Sequence, residues 1–400
     1  MGFDIDSKLN ALADKGVVII DPRQTYVSRE VDIDRIYKGS VLYPGARLTG
    51  SRTLVGTNAS VGTEGPATLH DSIIGAGAEV ASGFLTETTM LPGAKAGANS
   101  HFRRGTLLEE EASTAHCVGL KQSILMHSVT LGSLINFCDI LISGGRSRND
   151  HTEVGSGFIH FNFTPWGRSG DKATPSLIGN VTEGVFLDRE RIFLGGLSGA
   201  VGPLSVGYGA VTVAGQVIRK SVPDSTLHSE AFGELDAGLP VSGYRPSGRH
   251  LSAVRENNIE FISQLYALLA WYENVRLRRS RLAGDIELSL VLEGAMETIL
   301  ACIDERFLRY NSFAEEWSEE VLVRIDPGAI MAEVGAAEVG AAGVGATEVG
   351  AAFPDSAVDS IIDRAPEMSH DEWVRGLAAP EKDRLHGWLA GYADVVRNAL

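Results

Sequence analysis

The stretch Val55-Gly56-Thr57-Asn58-Ala59-Ser60-Val61-Gly62-Thr63-Glu64-Gly65-Pro66-Ala67 places a small or branched apolar residue at every sixth position and follows two of the three with glycine. The count runs on in both directions. Leu42, Leu48 and Leu54 stand six apart, Ile73 extends the Val55 series, and Leu85 with Leu91 and Leu194 with Ala200 and Val206 carry it along the chain. Further aliphatic-glycine pairs occur at Ile74-Gly75, Leu131-Gly132, Val154-Gly155, Ile178-Gly179, Val201-Gly202 and Val206-Gly207. A short fixed period of this kind marks a solenoid, in which one inward aliphatic side chain per strand stacks on its counterpart one coil away. Small residues suit the corners, because tight turns leave little room for a side chain and often need a positive φ. A sandwich would space its strands about 8–12 residues apart. Residues 17–225 therefore read as mainly β, a left-handed parallel β-helix of hexapeptide repeats with three strands and about 18 residues to each triangular coil.

Around this body the chain divides by pattern. Residues 1–16 hold a short helix over Asp6 to Asp14, ended by Gly16, before the strand-like Val17-Val18-Ile19-Ile20. After Val222 the rhythm stops, and residues 226–250, with Pro240 and Pro246, read as a linker. Residues 251–326 predict a helical hairpin: Val254, Phe261, Leu265, Leu268, Tyr272 and Val275 recur at helical spacing, and a second helix runs from Asp285 to about Phe313. Residues 327–353 repeat Glu-Val-Gly-Ala-Ala with small variations, a low-complexity linker expected to be disordered because it offers little area to bury. Residues 354–400 form a C-terminal helical segment with a break near Pro380.

A formal charge of −16 argues against nucleic acid as a partner, since phosphate neutralisation needs a basic surface. Three scattered cysteines suggest neither a disulfide framework nor a metal site. No stretch approaches the roughly 18 apolar residues of a membrane span, and a cytoplasmic protein is expected. Asp71, Glu109, Glu110 and Glu111 read as a solvated acidic edge. Arg276, Arg278, Arg279 and Arg281 read as cations at a helix C-terminus.

Within the solenoid, His101-Phe102-Arg103-Arg104-Gly105-Thr106 through Lys121, Val154-Gly155-Ser156-Gly157 through Asn162, and Val201-Gly202-Pro203-Leu204-Ser205-Val206-Gly207-Tyr208 onward resemble one known family. It is the C-terminal acetyltransferase half of the bifunctional UDP-N-acetylglucosamine pyrophosphorylase and glucosamine-1-phosphate acetyltransferase. The resemblance implies a homotrimer whose sites lie between neighbouring solenoids, with acyl-CoA (acetyl-CoA foremost) as co-substrate and a sugar phosphate or nucleotide sugar opposite. It implies phosphate binding by Arg103 and Lys121, which keep the family's spacing (121 − 103 = 18). Two converging cations suit one phosphate, because charge-assisted bonds are the strong ones. It also implies a place for Asn162 near the amine and the acyl group, for Lys172 as a second sugar-phosphate lysine, and for Gly196, Val213 and Ala214 along the CoA. The chain departs from the pattern twice. Ser133 stands at the family's general-base histidine, and Asn136 at its tyrosine. The family's uridyl-transfer domain is not expected, because the chain opens directly on the solenoid.

Two insertions flank the expected cleft: Gly144 to His151, with Arg146 and Arg148, and Thr164 to Asp171, with Trp166 and Arg168. Loops on a rigid scaffold are where specificity is built. Arg146 and Arg168 are candidate phosphate or nucleotide contacts, and His151 or His160 is the candidate replacement base. On a strand His160 and Asn162 share a face. Three functions are consistent with the residues: acyl transfer to an amino sugar phosphate or nucleotide sugar, acyl transfer to another acceptor such as a hydroxyl, and non-catalytic binding of a sugar nucleotide or of a partner by a trimeric scaffold.

Overall fold

The computed structural model describes residues 4–161, 172–230, 248–317, 322–328 and 354–400. Its body is a parallel solenoid. Every coil pairs in register with the next, as Val18↔Val41, Leu42↔Val61 and Val61↔Val80 illustrate on the first side. That side is an eleven-stranded sheet from Val18–Ile19 to Leu227–His228, which sets the length at about eleven coils. The other two sides join into a second sheet, because the seven-residue strands Gly119–Leu125 and Asn136–Ile142 bend over the corner between them. Val55, Val61 and Ala67 lie on three successive sides, fully buried in one interior column. The left-handed β-helix expected from the six-residue count is the observed fold.

Its corners carry the backbone strain. Asn99, Cys117, Leu134 and Leu197 adopt positive φ at one corner, and Asp71, Glu87, Gln122 and Asp139 at another. Asn and Asp accept the left-handed region readily, whereas leucine there is an outlier.

The repeat slips in places. From Leu48 the next interior residue is Val55, seven on, and from Leu69 and Leu85 it is Ile74 and Met90, five on. Leu54, Ile73 and Leu91, which a strict count of six would put inside, instead face outward with Leu107, Ile124, Leu141 and Leu177. That outer surface is covered by helices, so strands such as Ile140–Ile142 are buried on both faces and show no polar alternation.

Helix α1 (Ile5–Asp14) closes the first coil with Leu9 and Leu12. A short α2 (Val181–Gly184) follows in a late coil. Helix α3 (Gly248–Trp271) continues through a π-helical stretch, Tyr272–Leu277, into α4 (Arg278–Leu282). Helix α5 (Ile286–Glu316) begins at Asp285, whose carboxylate accepts from the Leu288 amide. It runs parallel to the solenoid axis: Glu287 accepts from Thr57, Thr298 bonds Thr89, Cys302 donates to the Gly105 carbonyl and Arg306 reaches Asp139. Nineteen helical residues rise about 28 Å and five coil steps about 24 Å, so successive turns of α5 meet successive coils. Helices α6 (Ser356–Ile362), α7 (His370–Gly376) and α8 (Ala379–Ala399) complete the apolar cluster, with Pro380 at the start of α8.

This packing corrects the solvated reading for Glu109 and Glu110, and draws Arg276 and Arg279 inward, whereas Glu111 and Arg281 are exposed as expected. Glu109 is buried, accepts from the Tyr272 hydroxyl at 2.7 Å and lies 3.6 Å from the buried Arg276, which also pairs with Glu110. Arg279 donates to the carbonyls of Ile362, Arg364 and Ala365. Arg276 thus holds a helix to a coil, and Arg279 holds one helical segment to another. Most of the two expected linkers, together with Asn162, Trp166 and Arg168, lies outside the described residues. Among those described, no helix is long and apolar enough to cross a membrane.

Candidate functional site

Parallel stacking converts distance in sequence into adjacency on the surface. Lys121 is in register with Cys138, and His101, Gly119 and Asn136 form a neighbouring row. The Arg103 amide donates to the Leu120 carbonyl, and its guanidinium Nη2 lies 3.9 Å from Cys138 Sγ. Burial and the Asp139 charge push the Cys138 thiol above its ordinary value, against the opposing pull of Arg103, Lys121 and Lys172. Three cations from separate coils thus act on one sulfur. Beside it, His101, Arg103, Cys117, Gly119, Leu134, Ile135 and Asn136 line a cleft of about 440 Å³.

Helix α5 reaches this cluster from the side. Glu305 pairs with Lys121 at 3.4 Å and with Arg309 at 2.9 Å. Partial burial raises the Glu305 carboxyl, but hydrogen bonding from Arg309 and the Lys121 charge outweigh it and hold the group below the usual carboxylate range. Arg306, fully buried, donates to Asp139 at 2.9 Å and to the Lys172 carbonyl at 3.4 Å. Lys172 is thereby anchored through its backbone.

The candidate histidines sit elsewhere. His160 is buried within the solenoid, where Nδ1 donates to the Cys138 carbonyl at 2.6 Å and Nε2 accepts from the Ser176 hydroxyl at 2.8 Å. Burial lowers its pKa and keeps it neutral. His151 belongs to the hairpin Gly145–Ser147/Asp150–His151, with Nδ1 bonded to the Arg148 carbonyl at 2.8 Å. In that hairpin Arg146 turns to Glu190 at 2.8 Å, and Arg148 folds onto the Glu111 and Ser128 carbonyls. None of these hairpin side chains lines the Arg103 cleft.

Asn136 lines the cleft, Ser133 directly precedes the lining residue Leu134, and Ser133 has a partner that sequence reading missed. Its Oγ shares a 3.0 Å hydrogen bond with Nδ1 of His116, seventeen residues earlier and one coil below. The signal was the coil length itself. Cys138, one coil above Lys121, was missed for the same reason.

The expected CoA positions continue the same corner. The amides of Leu134, Gly157, Leu197 and Gly215 donate to the carbonyls of His116, Ser133, Ser156 and Gly196, so His116, Ser133, Ser156, Gly196 and Ala214 follow one another up a single edge. Ala214 and Val213 are exposed there, and the Gly195–Gly196 backbone packs between those of Gly155 and Ala214. Among the described residues no group of three or more His, Cys, Asp or Glu side chains is placed to hold a metal ion.

No family model matches the chain. It is 30% identical over 231 residues to the bifunctional protein GlmU of Nocardia farcinica strain IFM 10152, a match covering 58% of this chain and 41% of that protein. The GlmU of Mycobacterium sp. strain KMS is 30% identical over 249 residues, covering 62% and 45%. That of Desulfitobacterium hafniense strain DCB-2 is 30% identical over 217 residues, covering 54% and 42%. The match thus spans less than half the length of these relatives. Stacked parallel coils and sequence likeness over more than half of the chain agree: this chain fits the C-terminal acetyltransferase domain of the bifunctional GlmU proteins.

Proposed function

We propose that this protein transfers an acyl group from acyl-CoA, acetyl-CoA foremost, to the amino group of a sugar phosphate or nucleotide sugar. The observation that carries the reading is the placement of Arg103 and Lys121 beside Cys138, with the Lys172 charge acting on the same thiol, next to a cleft that Arg103 and Asn136 line. The cations would take the phosphate, with the Arg103 guanidinium supplying a planar fork of donors. The small corner residues Gly196 and Ala214 leave room for an extended pantetheine arm, and three coil steps separate Ala214 from Ser133, about 14 Å. Asn136 offers an amide to the acceptor where the related pattern has tyrosine. With acceptor and thioester held together, much of the barrier falls through orientation alone.

The reading includes a homotrimer. Phe193, Val211 and Leu227 stand in register on the first side of the prism, all exposed, and this apolar row suits contact with another solenoid. A second reading, sugar-nucleotide binding without chemistry, draws support from the Glu305–Lys121 ion pair and from serine at position 133. Thiol release from acetyl-CoA in the presence of glucosamine 1-phosphate separates the two. Acyl transfer predicts release that depends on the sugar phosphate, and pure binding predicts none.

A further inference from the structure

We infer that Ser133 and His116 act together as a proton relay, taking the place of a single base at the acyl-transfer site. The inference rests on the acyl-transfer reading and adds the residues that move the proton. Ser133 Oγ and His116 Nδ1 are already 3.0 Å apart, and Cys117 and Leu134, which follow each of them in the chain, line the cleft with Arg103 and Asn136. The contact is set by the fold. Both residues occupy the same place in consecutive coils, the Leu134 amide donates to the His116 carbonyl, and the Ser133 amide is held by Ser156 Oγ at 3.0 Å. The imidazole is exposed, so its other nitrogen can exchange protons with water. His160, by contrast, has both nitrogens engaged in the interior.

A hydroxyl alone is too weak a base for this step, but a hydroxyl backed by an imidazole is the pairing that activates nucleophiles and acceptors generally. As the acceptor nitrogen bonds to the thioester carbonyl carbon, its proton passes to Ser133 Oγ while the Ser133 hydroxyl proton passes to His116 Nδ1. The C–S bond then breaks, and the departing thiolate takes up the proton from His116 through Ser133. The amide and free CoA thiol are the products, and both side chains return to their starting state.

The test is steady-state thiol release from acetyl-CoA with glucosamine 1-phosphate, measured on the full chain and on His116→Gln, Ser133→Ala, the double variant, and His116→Gln combined with Ser133→His. The relay predicts a kcat loss of about 10²–10⁴-fold in each single variant. It further predicts no greater loss in the double variant, unchanged KM for acetyl-CoA, unchanged melting temperature, and recovery when histidine is placed directly at position 133. A merely structural contact would not give this kcat-only loss with rescue. Full kcat in His116→Gln overturns the relay and leaves the acyl-transfer reading standing. Release by the variant combining His116→Gln with Ser133→His, but not by the unaltered chain, overturns the relay and with it acyl transfer by the unaltered chain. Absence of release from the unaltered chain and from every variant overturns both.

Discussion

Arg306 of helix α5 donates to the Asp139 carboxylate at 2.9 Å with both side chains buried, and this ion pair joins the helical half to the solenoid immediately beneath Cys138. Asp139 is also a corner residue with φ of 58°, so the pair fastens the helix to a strained turn. Glu305, the residue before Arg306, then comes to Lys121 by helix geometry.

Removing Arg306 takes a buried charged partner from the Asp139 carboxylate. Arg306→Met is expected to lower the unfolding free energy by about 3–5 kcal/mol. Combining it with Asp139→Asn should restore part of that loss. Urea denaturation of the single and double variants measures both.

Glu305 competes with any anion for Lys121. Glu305→Gln is expected to tighten glucosamine 1-phosphate binding several-fold, the scale of a partly exposed ion pair worth about 1 kcal/mol. Lys121→Ala should weaken it. Isothermal titration of the two variants gives opposite signs if the lysine serves the ligand.

Stability should depend on pH through buried imidazoles. Burial lowers the pKa of both His160 and His127, so below about pH 6.5 the unfolded chain binds protons that the folded chain refuses. The stabilisation is complete above that pH and is lost as pH falls toward the lowered folded values. Melting temperature is expected to drop between pH 7 and pH 5, with a shallower slope in His160→Gln.

Leu134 combines a left-handed backbone, φ of 59°, with 61% exposure at the mouth of the cleft. Leu134→Gly relieves a strain of about 1–2 kcal/mol and forfeits about 0.5–1 through unfolded-chain entropy. A small gain in melting temperature is expected, together with weaker retention of ligand at a wall that has lost its side chain. Thermal melting and titration on the same variant check the two halves.

Much of this fold was legible in Val55 to Ala67, because a solenoid writes its geometry as a period. The count did not reveal which side of the prism faces helices. Leu54, Ile73 and Leu91 have the same composition whether they point inward or onto α3 and α5, and only the five- or seven-residue slip to Val55, Ile74 and Met90 distinguishes them. Glu109 and Arg276 looked solvated because their pairing spans the whole distance between a coil and a helix. In the site, Arg103 and Lys121 were found by resemblance, whereas His116 and Cys138 required pairing each residue with its counterpart one coil away. His160 fits the period-two rule for a strand, yet that rule leaves open which of the two faces is the interior.

The proposed function depends on one phosphate site built from Arg103, Lys121 and Lys172 on stacked coils. Its most direct measurement is titration of glucosamine 1-phosphate into the unaltered chain and into Arg103→Ala. Saturable binding that weakens at least tenfold in the variant, with the melting temperature of the free protein unchanged, is the predicted result. Equal affinity in both proteins, or no binding to either, would contradict it.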